Sequence, residues 1–126
     1  MRAVDTNVLV RLIVRDDPAQ TAAAESYIEG GVWASVLALA EATWVLGRVY
    51  RLSANDLAGA IGMLLDNPSL FLQDSEAIAS ALQLFRERPA LGFSDCLILS
   101  IARQAGHFPL GTFDRYLARV DGVQKL

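Results

Sequence analysis

Four acidic residues interrupt apolar surroundings in this sequence. Asp5 and Asp114 each follow a strand-like segment, whereas Glu41 and Asp95 each share a helical stripe with apolar side chains. An isolated buried carboxylate is costly, and four in one place would repel one another unless cations lay between them. Hard divalent ions prefer such oxygen ligands. The sequence therefore predicts that Asp5, Glu41, Asp95 and Asp114 together bind one or two Mg²⁺ or Mn²⁺ ions.

Each acid taken alone has an ordinary explanation. An aspartate at a strand end commonly caps the next helix, and Asp5 before Thr6-Asn7 fits that role. The remaining ten of the 14 acids fall at helix starts, on polar helix faces or in loops, where they need no special role. The occurrence of four such acids at one predicted edge of the sheet favours a metal site over four separate structural roles.

Short apolar strands alternate with amphipathic helices along the chain. Strands are predicted at 3–4, 32–35, 70–72 and 108–113, with an edge strand from Val123, and helices at 6–14, 18–29, 37–50, 54–65, 75–88 and 93–105, with a helical turn at 115–119. This alternation predicts an α/β fold. We expect three α/β/α layers around a central, mostly parallel sheet of four or five strands, in one domain spanning 1–126.

The topology would let the four acids meet. Sites in open parallel sheets form outside the carboxyl ends of the strands, where Asp5 and Asp114 are predicted to lie. Asp95 belongs to the first turn of a helix that can start at the same edge. Glu41 lies about one and a half turns into its helix, so its side chain can lean back toward that edge.

Composition narrows the class of protein. The 126 residues are 53% hydrophobic, yet no segment reaches the roughly 18 apolar residues of a membrane span. Asp5 stands where a signal peptide would still be apolar, and Cys96 is the single cysteine, so we expect a cytoplasmic protein without membrane contact. The net charge of −3 neither supports nor excludes a nucleic-acid substrate, because without the four acids the balance is slightly basic.

Four segments in order resemble the motifs of the PIN domain family of metal-dependent nucleases. They are Val4-Asp5-Thr6-Asn7, Leu39-Ala40-Glu41, Phe93-Ser94-Asp95-Cys96-Leu97-Ile98 and Thr112-Phe113-Asp114. The likeness covers nearly the whole chain, and within the family the chain resembles the VapC-type toxins of toxin–antitoxin pairs. Many such relatives carry Asn at the position of Asp114 and an aspartate three residues later, where this chain has Leu117.

The resemblance implies an RNA endonuclease that uses Mg²⁺ or Mn²⁺ and is held inactive by a VapB-like antitoxin. The family's four acids correspond to Asp5, Glu41, Asp95 and Asp114. Its small polar helpers correspond to Asn7 and Thr112, and we expect Ser94 to help orient the carboxylates as well. Relatives often form homodimers through helices, for which the candidate contributors here are Val45, Val49 and Met63.

Four of the arginines are candidates for binding the phosphates of a nucleic acid. Arg11, Arg15, Arg48 and Arg115 lie near the acids in sequence and could contact phosphates, although a solvated helix face is the commoner role of such residues.

Two other functions fit the same residues. The chain could be a module that binds RNA or a protein partner without cleavage, although intact acids at all four positions favour an enzyme. It could also be a housekeeping RNA-processing nuclease with identical chemistry. An aspartyl-phosphate phosphatase is disfavoured because Asn7 replaces its second aspartate, and a receiver domain because Lys125 is the only lysine. A P-loop enzyme is excluded because no Gly-Lys-Ser/Thr run exists.

Overall fold

The computed structural model describes residues 1–126, which form two compact units, Met1–Ser75 and Glu76–Leu126. Strands alternate with helices, as the sequence predicts, and the α/β class is confirmed. The first unit contains β1 (Arg2–Val4), α1 (Thr6–Ile13), α2 (Pro18–Ile28), β2 (Val32–Ala34), α3 (Val36–Arg48), α4 (Ala54–Asp66) and β3 (Leu70–Leu72). After α5 (Ser75–Glu87), the second unit contains a 3₁₀ helix (Pro89–Leu91), α6 (Phe93–Gln104), β4 (Leu110–Thr112), a second 3₁₀ helix (Leu117–Arg119) and β5 (Val123–Lys125).

The first unit contains a three-stranded parallel sheet in the order β1-β2-β3. Trp33 of the central strand lies between Ala3 and Phe71, and Val32 and Ala34 of that strand are fully buried. The strand predicted at 3–4 is present, but its apolar residues are not buried as expected, because Ala3 is exposed and Val4 only half-buried. The reason is that β1 has a neighbouring strand in its sheet on one side only.

The second unit contains a two-stranded parallel sheet formed by β4 and β5. Leu110 pairs with Val123 and Thr112 with Lys125, so the strand expected from Val123 is present. The fourth strand is shorter than predicted, because it spans Leu110–Thr112 rather than 108–113. Asp114 therefore lies in a turn two residues beyond the strand.

Side chains at the helix starts explain why the helices begin where they do. Asp17 accepts a hydrogen bond from the Gln20 amide (3.0 Å), and Pro18 occupies the first position of α2. At α3, the Ser35 hydroxyl accepts the Ala38 amide at 3.0 Å. The side chain of Gln73, just past β3, accepts the Val36 amide at 2.9 Å. Two donors at the start of the helix that carries Glu41 are thereby satisfied.

Apolar side chains form a core within each unit. In the first unit the fully buried side chains include Leu9, Leu39 and Leu46, and in the second they include Ile78 and Leu99. Each such side chain, when removed from water, contributes about 1.5–3 kcal/mol to folding.

One buried polar atom in the first unit has no partner, the hydroxyl oxygen of Thr21 in α2. None of the helices combines the length and the apolar character that crossing a membrane requires.

Candidate functional site

Asp5 begins α1 and has the capping role that a strand-end aspartate commonly has. Its Oδ1 accepts the Val8 amide at 3.3 Å, and the residue is exposed. The second carboxylate oxygen makes no hydrogen bond, and no arginine pairs with it. Capping therefore orients the carboxylate while leaving one oxygen available to a ligand.

Glu41 lies on the exposed side of α3, and the prediction that it points with the core side chains is wrong. The buried side of this helix consists of Ala38, Leu39, Ala42, Thr43 and Leu46. Two members of the predicted stripe are largely exposed, Leu37 at 66% and Trp44 at 58%. Both sides of α3 carry large apolar residues, so helical periodicity alone could not show which side faces the core.

The second acid of the predicted set accepts a hydrogen bond from the residue that follows Asp5 in the chain. Thr6, the first residue of α1, donates a hydrogen bond from Oγ1 to Glu41 Oε2 at 3.0 Å. Because Thr6 directly follows Asp5 in the chain, this bond holds the Glu41 carboxylate at the start of α1, the helix that Asp5 caps. The sequence interpretation missed Thr6, although a hydroxyl directly after a candidate metal-binding acid was a usable signal.

Asp95 is half-buried in the first turn of α6. The buried residues of that helix are Phe93, Cys96, Leu97, Leu99 and Ser100, so the predicted apolar stripe through Asp95 and Ile98 is wrong. Ile98 is 53% exposed. As on α3, apolar residues occur on both sides of the helix.

Burial, and then the charge of Asp114, raises the pKa of the Asp95 carboxyl above its ordinary value. Asp95 and Asp114 therefore lie close enough for their charges to interact within the second unit.

Asp114 organises the turn that follows β4. Its Oδ1 accepts two amides, from Tyr116 at 2.8 Å and from Leu117 at 2.9 Å. Its own amide donates to Thr112 Oγ1 at 3.0 Å. The second carboxylate oxygen is free of hydrogen bonds. The turn thus fixes the orientation of an exposed carboxylate, and Thr112 supports it from the end of the strand.

The other two predicted helper residues make no comparable contact. The Asn7 and Ser94 side chains are exposed and form no hydrogen bond with an acid. Asn7 lines a groove between α1 and α2 together with Val8, Arg11, Gln20, Ala23, Ala24 and Tyr27.

Cys96, next to Asp95, has no solvent exposure. Burial, and then the charge of Asp95, raises the pKa of its thiol to about 11. At neutral pH it is a protonated core side chain.

None of the four acids forms an ion pair with a cationic side chain. The two ion pairs of the structure join Arg11 to Asp16 and Arg15 to Glu25. Arg11 and Arg15, which were predicted to contact phosphates, are therefore paired with acids outside the candidate site. Arg11 also donates to the Tyr50 hydroxyl. Arg48 lies over the Trp44 ring at 5.9 Å.

The residues fit a hard divalent cation by the chemistry of their donors. Asp5, Glu41 and Asp114 each have one oxygen oriented by a hydrogen bond and one without a partner, and Asp95 accepts no hydrogen bond. Carboxylate oxygens of this kind are ligands for Mg²⁺ and Mn²⁺. Of the four acids, only Asp95 and Asp114 are linked to each other, through the interaction of their charges, and the structure contains no cluster of three or more His, Cys, Asp or Glu side chains that could hold a metal ion.

Comparison with protein families gives one finding that covers the chain. The sequence profile described as PIN domain matches residues 2–123. A search of curated proteins and a search of solved structures each gave no match. PIN domains are in general nucleases that depend on divalent metal ions.

Proposed function

Because the chain belongs to the PIN domain family, we propose that it is an Mg²⁺- or Mn²⁺-dependent endoribonuclease. The proposal rests chiefly on Asp95 and Asp114, two acids whose charges interact and neither of which forms an ion pair with a basic side chain. Two negative charges brought together without compensation destabilise the metal-free protein, and a cation removes that cost.

We assign Asp5, Glu41, Asp95 and Asp114 as the residues that hold the metal. A bound divalent cation would lower the pKa of the attacking water and neutralise negative charge on the scissile phosphate. The chain's own contribution is orientation: Thr6 holds Glu41, the Val8 amide holds Asp5, and the turn after β4 holds Asp114. No histidine is required as a base, in keeping with His107 being the only one.

Cleavage of a labelled, partly single-stranded RNA with Mn²⁺ or with EDTA tests this activity. We expect cleavage with Mn²⁺, none with EDTA, and a loss of more than about 100-fold in Asp5→Asn and Asp95→Asn. Asp66→Asn is the matched control, since Asp66 is an exposed acid at the end of α4 without an ion pair. Wild-type cleavage by Asp95→Asn would overturn the assignment.

We further propose that the protein is the toxin of a toxin–antitoxin pair, acting on cytoplasmic RNA and inhibited by a VapB-like antitoxin. The order of the four acidic motifs in a chain of this length supports this role. Induced expression in bacteria should arrest growth for the wild type and Asp66→Asn but not for Asp95→Asn. Normal growth with active enzyme in the cell would favour a housekeeping nuclease.

We also propose a homodimer formed through helices of the first unit. Val49 at 62% and Met63 at 64% exposure are large apolar side chains left open to solvent, and Val45, one helical turn before Val49, is half-buried. Light scattering of the purified protein should give the dimer mass, and Val49→Glu/Met63→Glu should give the monomer. A monomeric wild type at micromolar concentration refutes this arrangement.

A further inference from the structure

A groove of about 400 Å³ lies in the second unit beside the turn that carries Asp114. It is lined by Arg88, Pro89, Ala90, Leu91, Tyr116 and Arg119. Four of these residues belong to or directly precede the 3₁₀ helix after α5, and the other two follow Asp114 in the chain. None of the six belongs to the four-acid set.

Neither arginine of the groove has an anionic partner. Neither Arg88 nor Arg119 forms an ion pair or donates a side-chain hydrogen bond, in contrast to Arg11 and Arg15. Both are exposed. A guanidinium without an acidic neighbour presents its planar set of donors to an incoming anion, and phosphate matches that geometry.

An aromatic face lies beside the positive charge. Tyr116 is 58% exposed, and the guanidinium carbon of Arg119 is 5.4 Å from the centre of its ring. Pro89 and Ala90 add exposed apolar surface. Unpaired bases of RNA stack on such rings and on guanidinium planes, while their phosphates bind arginine.

The groove is joined to the candidate acid through the backbone. The Tyr116 amide donates to Asp114 Oδ1 at 2.8 Å, so the ring that lines the groove and the carboxylate share one turn. A nucleotide held at Tyr116 therefore lies beside the turn that carries Asp114.

We infer that the groove lined by Arg88, Tyr116 and Arg119 binds a nucleotide of single-stranded RNA adjacent to the scissile phosphate. This inference rests on the proposed nuclease function, because it takes Asp114 to be part of that site. An acidic peptide would also pair with the two arginines, but it has no flat face to place against the Tyr116 ring. The combination of guanidinium groups without anionic partners and an exposed aromatic ring favours RNA.

The subsite can be tested by measuring how the protein binds a fluorescein-labelled single-stranded RNA of about ten nucleotides. The fluorescence anisotropy is recorded in EDTA, so that no metal-dependent cleavage occurs. Affinity falls as salt concentration rises, and each phosphate contact to a single strand contributes about 0.7 to the steepness of log affinity against log salt. We therefore expect this dependence to be shallower by about 1.4 in Arg88→Gln/Arg119→Gln. Tyr116→Leu should weaken binding by about fivefold or more. Arg51→Gln/Arg86→Gln is the charge-matched control, because both residues are exposed, unpaired and outside the groove.

The outcomes separate this inference from the proposed function. A control double variant that loses as much affinity and slope as the groove variant refutes the subsite, as does binding of poly-glutamate but not RNA. Groove variants that cleave RNA with Mn²⁺ at an unchanged KM also refute it, while leaving the nuclease function standing. RNA binding that depends on the groove but is followed by no cleavage with Mn²⁺ upholds the subsite and refutes the nuclease.

Discussion

The hydrogen bond between Thr6 and Glu41 offers a test that reaches the site without altering any of its acids. Thr6→Val removes the hydroxyl but keeps the branched shape at the first residue of α1. The Glu41 carboxylate then loses the donor that lies 3.0 Å from its Oε2. Because both partners stay at the protein surface, we expect little change in folding and a clear change in metal affinity.

The size of the effect follows from the freedom that Glu41 would regain. A glutamate side chain loses up to about 1.5–2 kcal/mol of conformational entropy when it is fixed in one arrangement. In the wild type, part of that cost is already met when Thr6 holds the carboxylate. In Thr6→Val the whole entropy cost of fixing Glu41 falls on the binding of the cation. We therefore expect the affinity for Mn²⁺ to weaken by about 1.4 kcal/mol, or about tenfold. Losses of this kind for ligand-orienting groups run from about 10- to 100-fold.

Calorimetric titration with Mn²⁺, together with the Mn²⁺ dependence of RNA cleavage, measures this change. The half-saturating Mn²⁺ concentration should rise about tenfold in Thr6→Val and should return toward the wild-type value in Thr6→Ser, which keeps the hydroxyl. Thr21→Val is the matched control, because Thr21 lies in α2 and its hydroxyl forms no hydrogen bond with any of the acids. A Thr6→Val protein that is folded and binds Mn²⁺ like the wild type refutes the assignment of Glu41 as a metal ligand positioned by Thr6.

Three further predictions concern stability and reactivity. Thr21→Val should stabilise the protein by about 1 kcal/mol and raise the melting temperature by about 4 °C, because it removes a buried hydroxyl without a partner; an unchanged or lower melting temperature contradicts this. Asp95→Asn should raise the melting temperature of the metal-free protein at pH 7, because burial and the charge of Asp114 raise the pKa of Asp95 in the folded state. A raised carboxyl pKa means that folding takes up a proton, so stability falls as pH rises through that pKa, and the gain from Asp95→Asn should vanish below the ordinary pKa of about 3.9; a gain that persists in acid refutes this cause. Cys96 should resist iodoacetamide at pH 8 in the folded protein and react when urea unfolds it, because the thiol is fully buried with a pKa of about 11; rapid labelling of the folded protein counts against the observed packing of α6.

The elements of the fold could be predicted because local signals agree with one another. Asp17-Pro18 marks the start of α2 and Ser53 the start of α4, and each of these side chains accepts the amide expected of a cap. Ile78, Leu82 and Phe85 repeat at helical spacing and are all buried on α5. These signals depend on residues close together in the chain, which a sequence displays directly.

The orientation of the acid-bearing helices could not be predicted, because it depends on the faces that meet in the folded protein. On α3, Leu37 and Trp44 form as convincing an apolar stripe as Leu39 and Leu46, and only the structure shows that the second pair is buried. The contact between Thr6 and Glu41 joins residues 35 positions apart, which no local pattern shows. Asp114 accepting two amides in its turn is likewise a tertiary detail, although its place just after a strand was readable.

The central claim is that Asp5, Glu41, Asp95 and Asp114 bind divalent metal, and anomalous diffraction from a crystal soaked in Mn²⁺ tests it most directly. We predict an anomalous peak with oxygens of these carboxylates about 2.0–2.2 Å away, the range for small hard cations. The peak should be absent from Asp95→Asn crystals soaked in the same way. Saturating Mn²⁺ that gives no peak at these four residues, or a peak held by other side chains, would contradict the claim.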